Sequence, residues 1–203
     1  MVYATVRTIL YPLFRGKIGS IVGAEHLPVN GPYLLAANHI DFLDGFYVAL
    51  AVHESRGHDV FFLTKSNNYW WTRVTLPISD KKKSESLDDA VQYLRQGKII
   101  CNFIEGARNP LSHLLRGKTG TARLALRANV PVIPVGIASK SGKNFMRSVT
   151  NLIAERGNVT VKFGPAIDLS QFRGKAPDYS LIQEATREIM RGLAPLTEKV
   201  YIG

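Results

Sequence analysis

Nearly unbroken apolar runs constrain this chain most: Tyr33-Leu34-Leu35-Ala36-Ala37, Val60-Phe61-Phe62-Leu63, the stretch from Ile99 to Ile104, and Val130 to Ile137. Successive side chains of a strand point to opposite faces, so a strand that is apolar throughout is buried on both. The runs have strand length and fall short of a helix. Between them lie segments of helical period. These are Asp44 to His53, Ser86 to Arg95 (Leu87, Ala90, Val91, Leu94, closed by Gly97), and Thr119 to Ala128. Asp178 to Leu193 adds a closing helix, and Ile18 to Val22 and the alternating Asn158 to Phe163 add strands. Strands alternating with helices predict an α/β fold, a mostly parallel sheet flanked by helices on both faces. No repeat, low-complexity block or linker interrupts the pattern, so residues 1–203 read as one domain.

Composition enters through charge. Lys and Arg number 26 against 16 Asp and Glu, a formal net charge of +10. Such an excess favours anionic partners: nucleic acid, anionic lipid or phosphorylated substrates. No base-reading motif or basic–aromatic platform accompanies it, so nucleic acid is not expected. Lys81-Lys82-Lys83 suits phosphate, an acidic carrier protein or lipid, and equally a solvated loop. At the start, Val2, Tyr3, Val6, Ile9, Leu10, Leu13 and Phe14 recur at roughly helical spacing, with Arg7, Arg15 and Lys17 among or after them. Residues 1–17 therefore predict an amphipathic helix, lying in a membrane interface or packed on the domain's own core. Trp70 and Trp71 suit either a lipid interface or a core anchor. No apolar run reaches the roughly 18 residues of a transmembrane helix, and no secretory signal is read at the start. The single cysteine, Cys101, lies in an apolar run and reads as a buried thiol in a reducing compartment.

The chemistry concentrates where strands end. His39 follows the Tyr33–Ala37 strand, and Asp44 comes five residues later. Histidine takes a proton near neutral pH, and a carboxylate beside it fixes its tautomer. On a regular helix the two would stand ~140° apart, so they meet only if His39 lies in a turn and the helix begins after it. Asp41 competes for the role of partner, or caps the helix. No Ser or Cys follows the pair closely, so the proton would come from a substrate hydroxyl, as in a transferase. A second constellation, Phe103-Ile104-Glu105-Gly106-Ala107-Arg108-Asn109, begins where the Ile99–Ile104 strand ends. Ligands of parallel sheets collect at such carboxyl ends. Gly106 permits a tight turn and close substrate approach. Arg108 offers a rigid fork of donors suited to phosphate, and Glu105 would hold that arginine or a substrate hydroxyl. Gly117-Lys118-Thr119 ends like a phosphate loop, but the required earlier glycine is Ser112, so the motif fails. His53 and His58 flank the polar loop Glu54-Ser55-Arg56-Gly57 without further ligands, and no metal is expected.

Taken in order, these elements resemble the glycerolipid acyltransferase family, best known from 1-acylglycerol-3-phosphate (lysophosphatidic acid) acyltransferases. Asn38-His39 through Asp44 is similar to that family's Asn-His, four residues, Asp. Glu105-Gly106-Ala107-Arg108 resembles its Glu-Gly-Thr-Arg element, and Val130-Pro131-Val132-Ile133-Pro134-Val135 its proline-bearing block. Phe62-Leu63-Thr64-Lys65 and the stretch from Pro77 to Lys81 occupy the place of its second block. The family's usual Pro before Glu-Gly is Ile104 here, and its threonine is Ala107.

The resemblance implies transfer of a fatty acyl chain from a thioester to the hydroxyl of a lysophosphatidic-acid-like acceptor, in phospholipid synthesis. His39 would be the base and Asp44 its orienting acid. Asn38, Lys65, Glu105, Gly106 and Arg108 would bind substrate, with Lys65 and Arg108 on the acceptor phosphate. No cofactor or metal is implied; acyl-carrier protein or acyl-CoA is the co-substrate. The implied location is peripheral, on the cytoplasmic face of the cell membrane. Ile104 and Ala107 keep open a different lysolipid or amphiphilic alcohol as acceptor, and the charge keeps open a non-catalytic module that binds anionic lipid.

Overall fold

The computed structural model describes residues 12, 14–65, 76–78, 83–139, 156–174 and 178–202. Among them seven strands form one sheet: β1 (Ile18–Val22), β2 (Leu34–Ala37), β3 (Val60–Lys65), β4 (Leu76–Ile78), β5 (Ile99–Phe103), β6 (Val132–Ser139) and β7 (Val159–Phe163). Their order is β1-β7-β6-β2-β5-β3-β4, and every pairing is parallel except β6 with β7. Helices α1 (Asp44–Arg56), α2 (Lys83–Arg95), α3 (Gly120–Ala128) and α4 (Tyr179–Leu193) cover the two faces.

The apolar runs are explained strand by strand. β2 lies between β5 and β6, with Leu34 opposite both Ile100 and Val132. Leu35 and Ala37 enter a cluster with Val48, Ala51 and Val52 of α1, whereas Leu34 and Ala36 enter another with Leu94 of α2, Leu124 of α3 and Ile189 of α4. Neither face of β2 meets water, so a polar residue has no place on it. Fully burying each leucine contributes about 1.5–3 kcal/mol. β7 differs: Val159, Val161 and Phe163 are buried while Thr160 and Lys162 are half-buried, which is the alternation seen in its sequence.

Three local features add to the sequence reading, and the first of them departs from it. α1 does not stop at His53 but runs through Glu54 and Ser55 to Arg56, where Gly57 takes the left-handed φ of 72° that closes a helix. Its polar last turn is held by an ion pair from Arg15 to Glu54 (2.8 Å) and by Arg56 Nε donating to Leu27 O (2.9 Å). Leu76-Pro77-Ile78 forms a short strand beside β3, tolerable for a proline because it is an edge. Residues 14–17 are helical, and Phe14 stacks on Phe46 of α1 at 4.7 Å. That end of the N-terminal segment packs on the core, while the rest of residues 1–13, apart from residue 12, lies outside the described residues, as do Trp70, Trp71, Lys81 and Lys82.

Candidate active site

Parallel pairing sets the end of β2 beside the end of β5, with Ala37 opposite Phe103. The residues following each strand therefore share one edge of the sheet. Asn38 comes first and is fully buried. Its Nδ2 donates to Ile137 O (3.0 Å) and its Oδ1 accepts from Ile137 N (2.7 Å), tying the end of β2 to β6. This corrects the expectation that Asn38 binds substrate: its amide is taken up by the sheet.

His39 stands in the turn before α1, the arrangement in which it can reach Asp44. Its Nδ1 lies 2.8 Å from Asp44 Oδ2, and its ring stacks on Phe103 with centroids 4.0 Å apart. A carboxylate only accepts, so the proton sits on Nδ1 and Nε2 is left with its lone pair. Asp44, the first residue of α1, also accepts from Ile40 N (2.6 Å) and Asp41 N (2.7 Å). Burial raises the Asp44 pKa above its ordinary value, and the hydrogen bonds and charge of His39 and the two backbone donors pull against it. Asp41 instead shapes the turn, accepting from Leu43 N at 3.0 Å.

Glu105 also departs from expectation. It is 1 % exposed, and its oxygens accept from His39 N (3.2 Å), Asn109 Nδ2 (2.5 Å) and Leu115 N (2.8 Å). It neither holds Arg108 nor opens to a substrate hydroxyl: it fastens the loop that carries it to the backbone of His39. Asn109 N completes the clamp by donating to His39 O at 2.6 Å. Gly106 has φ 72°, and a Cβ there would stand 2.9 Å from Lys118 Cγ, so this turn needs glycine. Arg108 is exposed, its guanidinium 3.4 Å from the centre of the Phe42 ring, where it bridges the Glu105 turn and the His39 turn. Lys65 closes β3, and its side chain lies outside the description.

One participant carries no sequence motif. Lys199, in the C-terminal tail, donates from Nζ to Asn109 O. The tail reaches it because Val200 O accepts from Leu114 N (2.8 Å) and Val200 N donates to Ser112 O (3.0 Å). Burial lowers the Lys199 pKa, while the charges of Glu105 and Asp44 support its cation. Nothing in a polar tail signals such a contact; only the folded loop reveals it. Cys101 is fully buried beneath the site, with its thiol pushed far above the usual range by desolvation. Among the described residues no group of three or more His, Cys, Asp or Glu could hold a metal, and no helix is long and apolar enough to cross a membrane.

The fold and site define a class: an α/β domain with a carboxylate-backed histidine at the sheet's carboxyl edge and a guanidinium nearby. Among the described residues no side-chain nucleophile hydrogen-bonds His39. A model of the family described as Acyltransferase matches residues 20–138. The chain belongs to that family. It is 32% identical over 107 residues to the 1-acyl-sn-glycerol-3-phosphate acyltransferase of Escherichia coli, covering 51% of this chain and 42% of that protein. With the human 1-acyl-sn-glycerol-3-phosphate acyltransferase alpha it shares 27% over 129 residues, 58% of this chain and 44% of the other. The chain thus spans about half or less of the length of these relatives. The crystal structure of the 1-acyl-sn-glycerophosphate (LPA) acyltransferase of Thermotoga maritima superposes with a TM-score of 0.59 at 19% identity, over 97% of this chain and 83% of that one, a likeness of fold.

Proposed function

We propose that the chain acts as one acyltransferase domain, moving a fatty acyl group from a thioester to the hydroxyl of a lysophosphatidic-acid-like acceptor in phospholipid synthesis. The observation that carries this reading is the 2.8 Å contact of His39 Nδ1 with the buried Asp44, which leaves Nε2 as the acceptor. His39 Nε2 takes the proton of the acceptor hydroxyl, and that oxygen attacks the thioester carbonyl carbon. The C–S bond then breaks, and the thiolate leaves with the proton from the imidazolium. No acyl-enzyme forms. Arg108, exposed beside the dyad, holds the acceptor phosphate, and Lys65 joins it by the family resemblance. Gly106 shapes the turn that completes the pocket, and the donor is acyl-CoA or acyl-carrier protein. We place the protein at the cytoplasmic face of the membrane, peripherally, in keeping with its +10 charge.

The test is thiol release with mass spectrometry of the lipid product, using lysophosphatidic acid beside phosphate-free acceptors. General-base catalysis contributes roughly 10²–10⁴-fold, so His39→Ala is expected to lower kcat by about that factor. A folded His39→Ala protein with full activity would sink the mechanism. Product only from phosphate-free acceptors would reassign the substrate and remove the phosphate from Arg108.

A further inference from the structure

We propose that the basic cleft between α4, the Arg116–Thr119 turn and the C-terminal tail binds the phosphorylated nucleotide end of a coenzyme-A-type acyl donor. This rests on the acyl-transfer reading above and names the donor's binding site. The cleft has a volume of about 510 Å³, and its lining includes Arg116, Lys118, Arg187, Gln183, Tyr179 and Tyr201. That volume is typical of a small-ligand site.

Three cations face one concavity, and among the described residues no carboxylate lines it. Among the described residues Arg187 has only an exposed partner on its own helix, Glu184 at 3.9 Å, which is a weak pair. Arg116 and Lys118 make no ion pair among the described residues. Gathered cations of this kind repel one another until an anion enters. Thr119, the residue that caps α3, closes the same lining. This is the Gly117-Lys118-Thr119 turn whose sequence falls short of a phosphate loop.

Shape and position narrow the ligand. Tyr179 is 62% exposed, and it and the half-buried Tyr201 offer flat rings to a base. Several phosphates with a planar ring fit this lining better than a single lipid phosphate does. The cleft also shares a wall with the catalytic turn. The Lys118 methylenes lie against Gly106, and Gly106 follows Glu105, which accepts from His39 N. Arg108 is outside this lining, so donor and acceptor phosphates have separate cations.

The test is calorimetry of the full chain with adenosine 3′,5′-bisphosphate, coenzyme A and inorganic phosphate, repeated on R116Q/R187Q and on H39A. The bisphosphate and coenzyme A are expected to bind more tightly than inorganic phosphate. R116Q/R187Q should weaken them about ten- to a hundredfold, the loss of two charge-assisted contacts, and H39A should leave them unchanged. In turnover, R116Q/R187Q should raise the KM for acyl-CoA and not that for the acceptor. Bisphosphate binding that is absent, no tighter than that of inorganic phosphate, or indifferent to the two substitutions would overturn the cleft. So would a raised KM for the acceptor, or turnover of acyl-carrier protein by a chain that leaves coenzyme A unbound. Binding is read without turnover: intact bisphosphate binding in a chain that transfers no acyl group would overturn the catalytic reading alone.

Discussion

The carboxylate of Asp44 is closed off from water, yet its two oxygens are treated unequally. Oδ2 gathers the His39 ring and two backbone N–H donors, while Oδ1 has no hydrogen-bond partner among the described residues. Burial therefore raises its pKa from 3.8, with the donors pulling the other way. The folded state keeps the Asp44 proton to a higher pH than the unfolded chain does. Stability from this group is thus full below about 3.8 and lost as pH rises through the raised value. Asp44→Asn removes that titration and puts an amide N–H₂ or a misplaced acceptor against the histidine. We expect kcat to fall by about 10³–10⁴, the scale for a triad histidine held in the wrong tautomer. In urea titrations between pH 3.5 and 7, the stability difference should move steadily in favour of Asp44→Asn. A difference that moves toward the unsubstituted chain would show that the buried carboxylate is stabilised by its surroundings.

Elements divide the labour between architecture and chemistry, and they differ in how readable they were. Strands buried on both faces, such as β2, announce themselves because every position is apolar. α4 is equally plain: Ile182, Ala185, Ile189 and Leu193 form its buried stripe, and Asp178 caps it by accepting from Leu181 N at 2.7 Å. The end of α1 was hidden, because Glu54 and Arg56 have a loop's composition and are helical through partners distant in sequence. The loop between β5 and α3 hid more. Its motif marks Glu105 as important without saying whether it faces substrate or protein, since a carboxylate serves either. The three donors on Glu105 decide it, and Glu105→Gln tests the decision. Glutamine has one oxygen where three donors need two, so at least one buried N–H goes unpaired, at about 1–3 kcal/mol. The expected result is a lower kcat and lower stability with the KM for acceptor within about twofold, the pattern of transition-state loss without loss of substrate binding. A raised acceptor KM with kcat intact would return Glu105 to the substrate.

At the scale of the whole molecule, the site is closed by chain segments that lie far apart in sequence. β2 supplies the histidine, β5 the clamp, and the tail after α4 supplies Lys199, which donates to the carbonyl of the residue that donates to His39 O. The His39 turn is therefore gripped from the C-terminal end of the domain, and no local pattern in the sequence could reveal this. The same contact places a cation where the charges of Glu105 and Asp44 act on it. By reciprocity, its charge favours the ionised form of Asp44. Lys199→Met keeps the stem's bulk and removes the charge and the donor. Burial has already lowered the Lys199 pKa, so removing the half-buried ammonium should leave the melting temperature unchanged or raise it. Activity should move the other way. The Asn109 clamp loosens, and small misplacements of a catalytic group are costly, so kcat is expected to fall about tenfold. With the cation gone, Asp44 holds its proton to still higher pH, and the acid limb of the kcat/KM profile should shift upward; Lys199→Arg should restore it. A merely structural lysine would give the opposite pair of results, a lower melting temperature with the pH profile unmoved, and that outcome would remove Lys199 from the site.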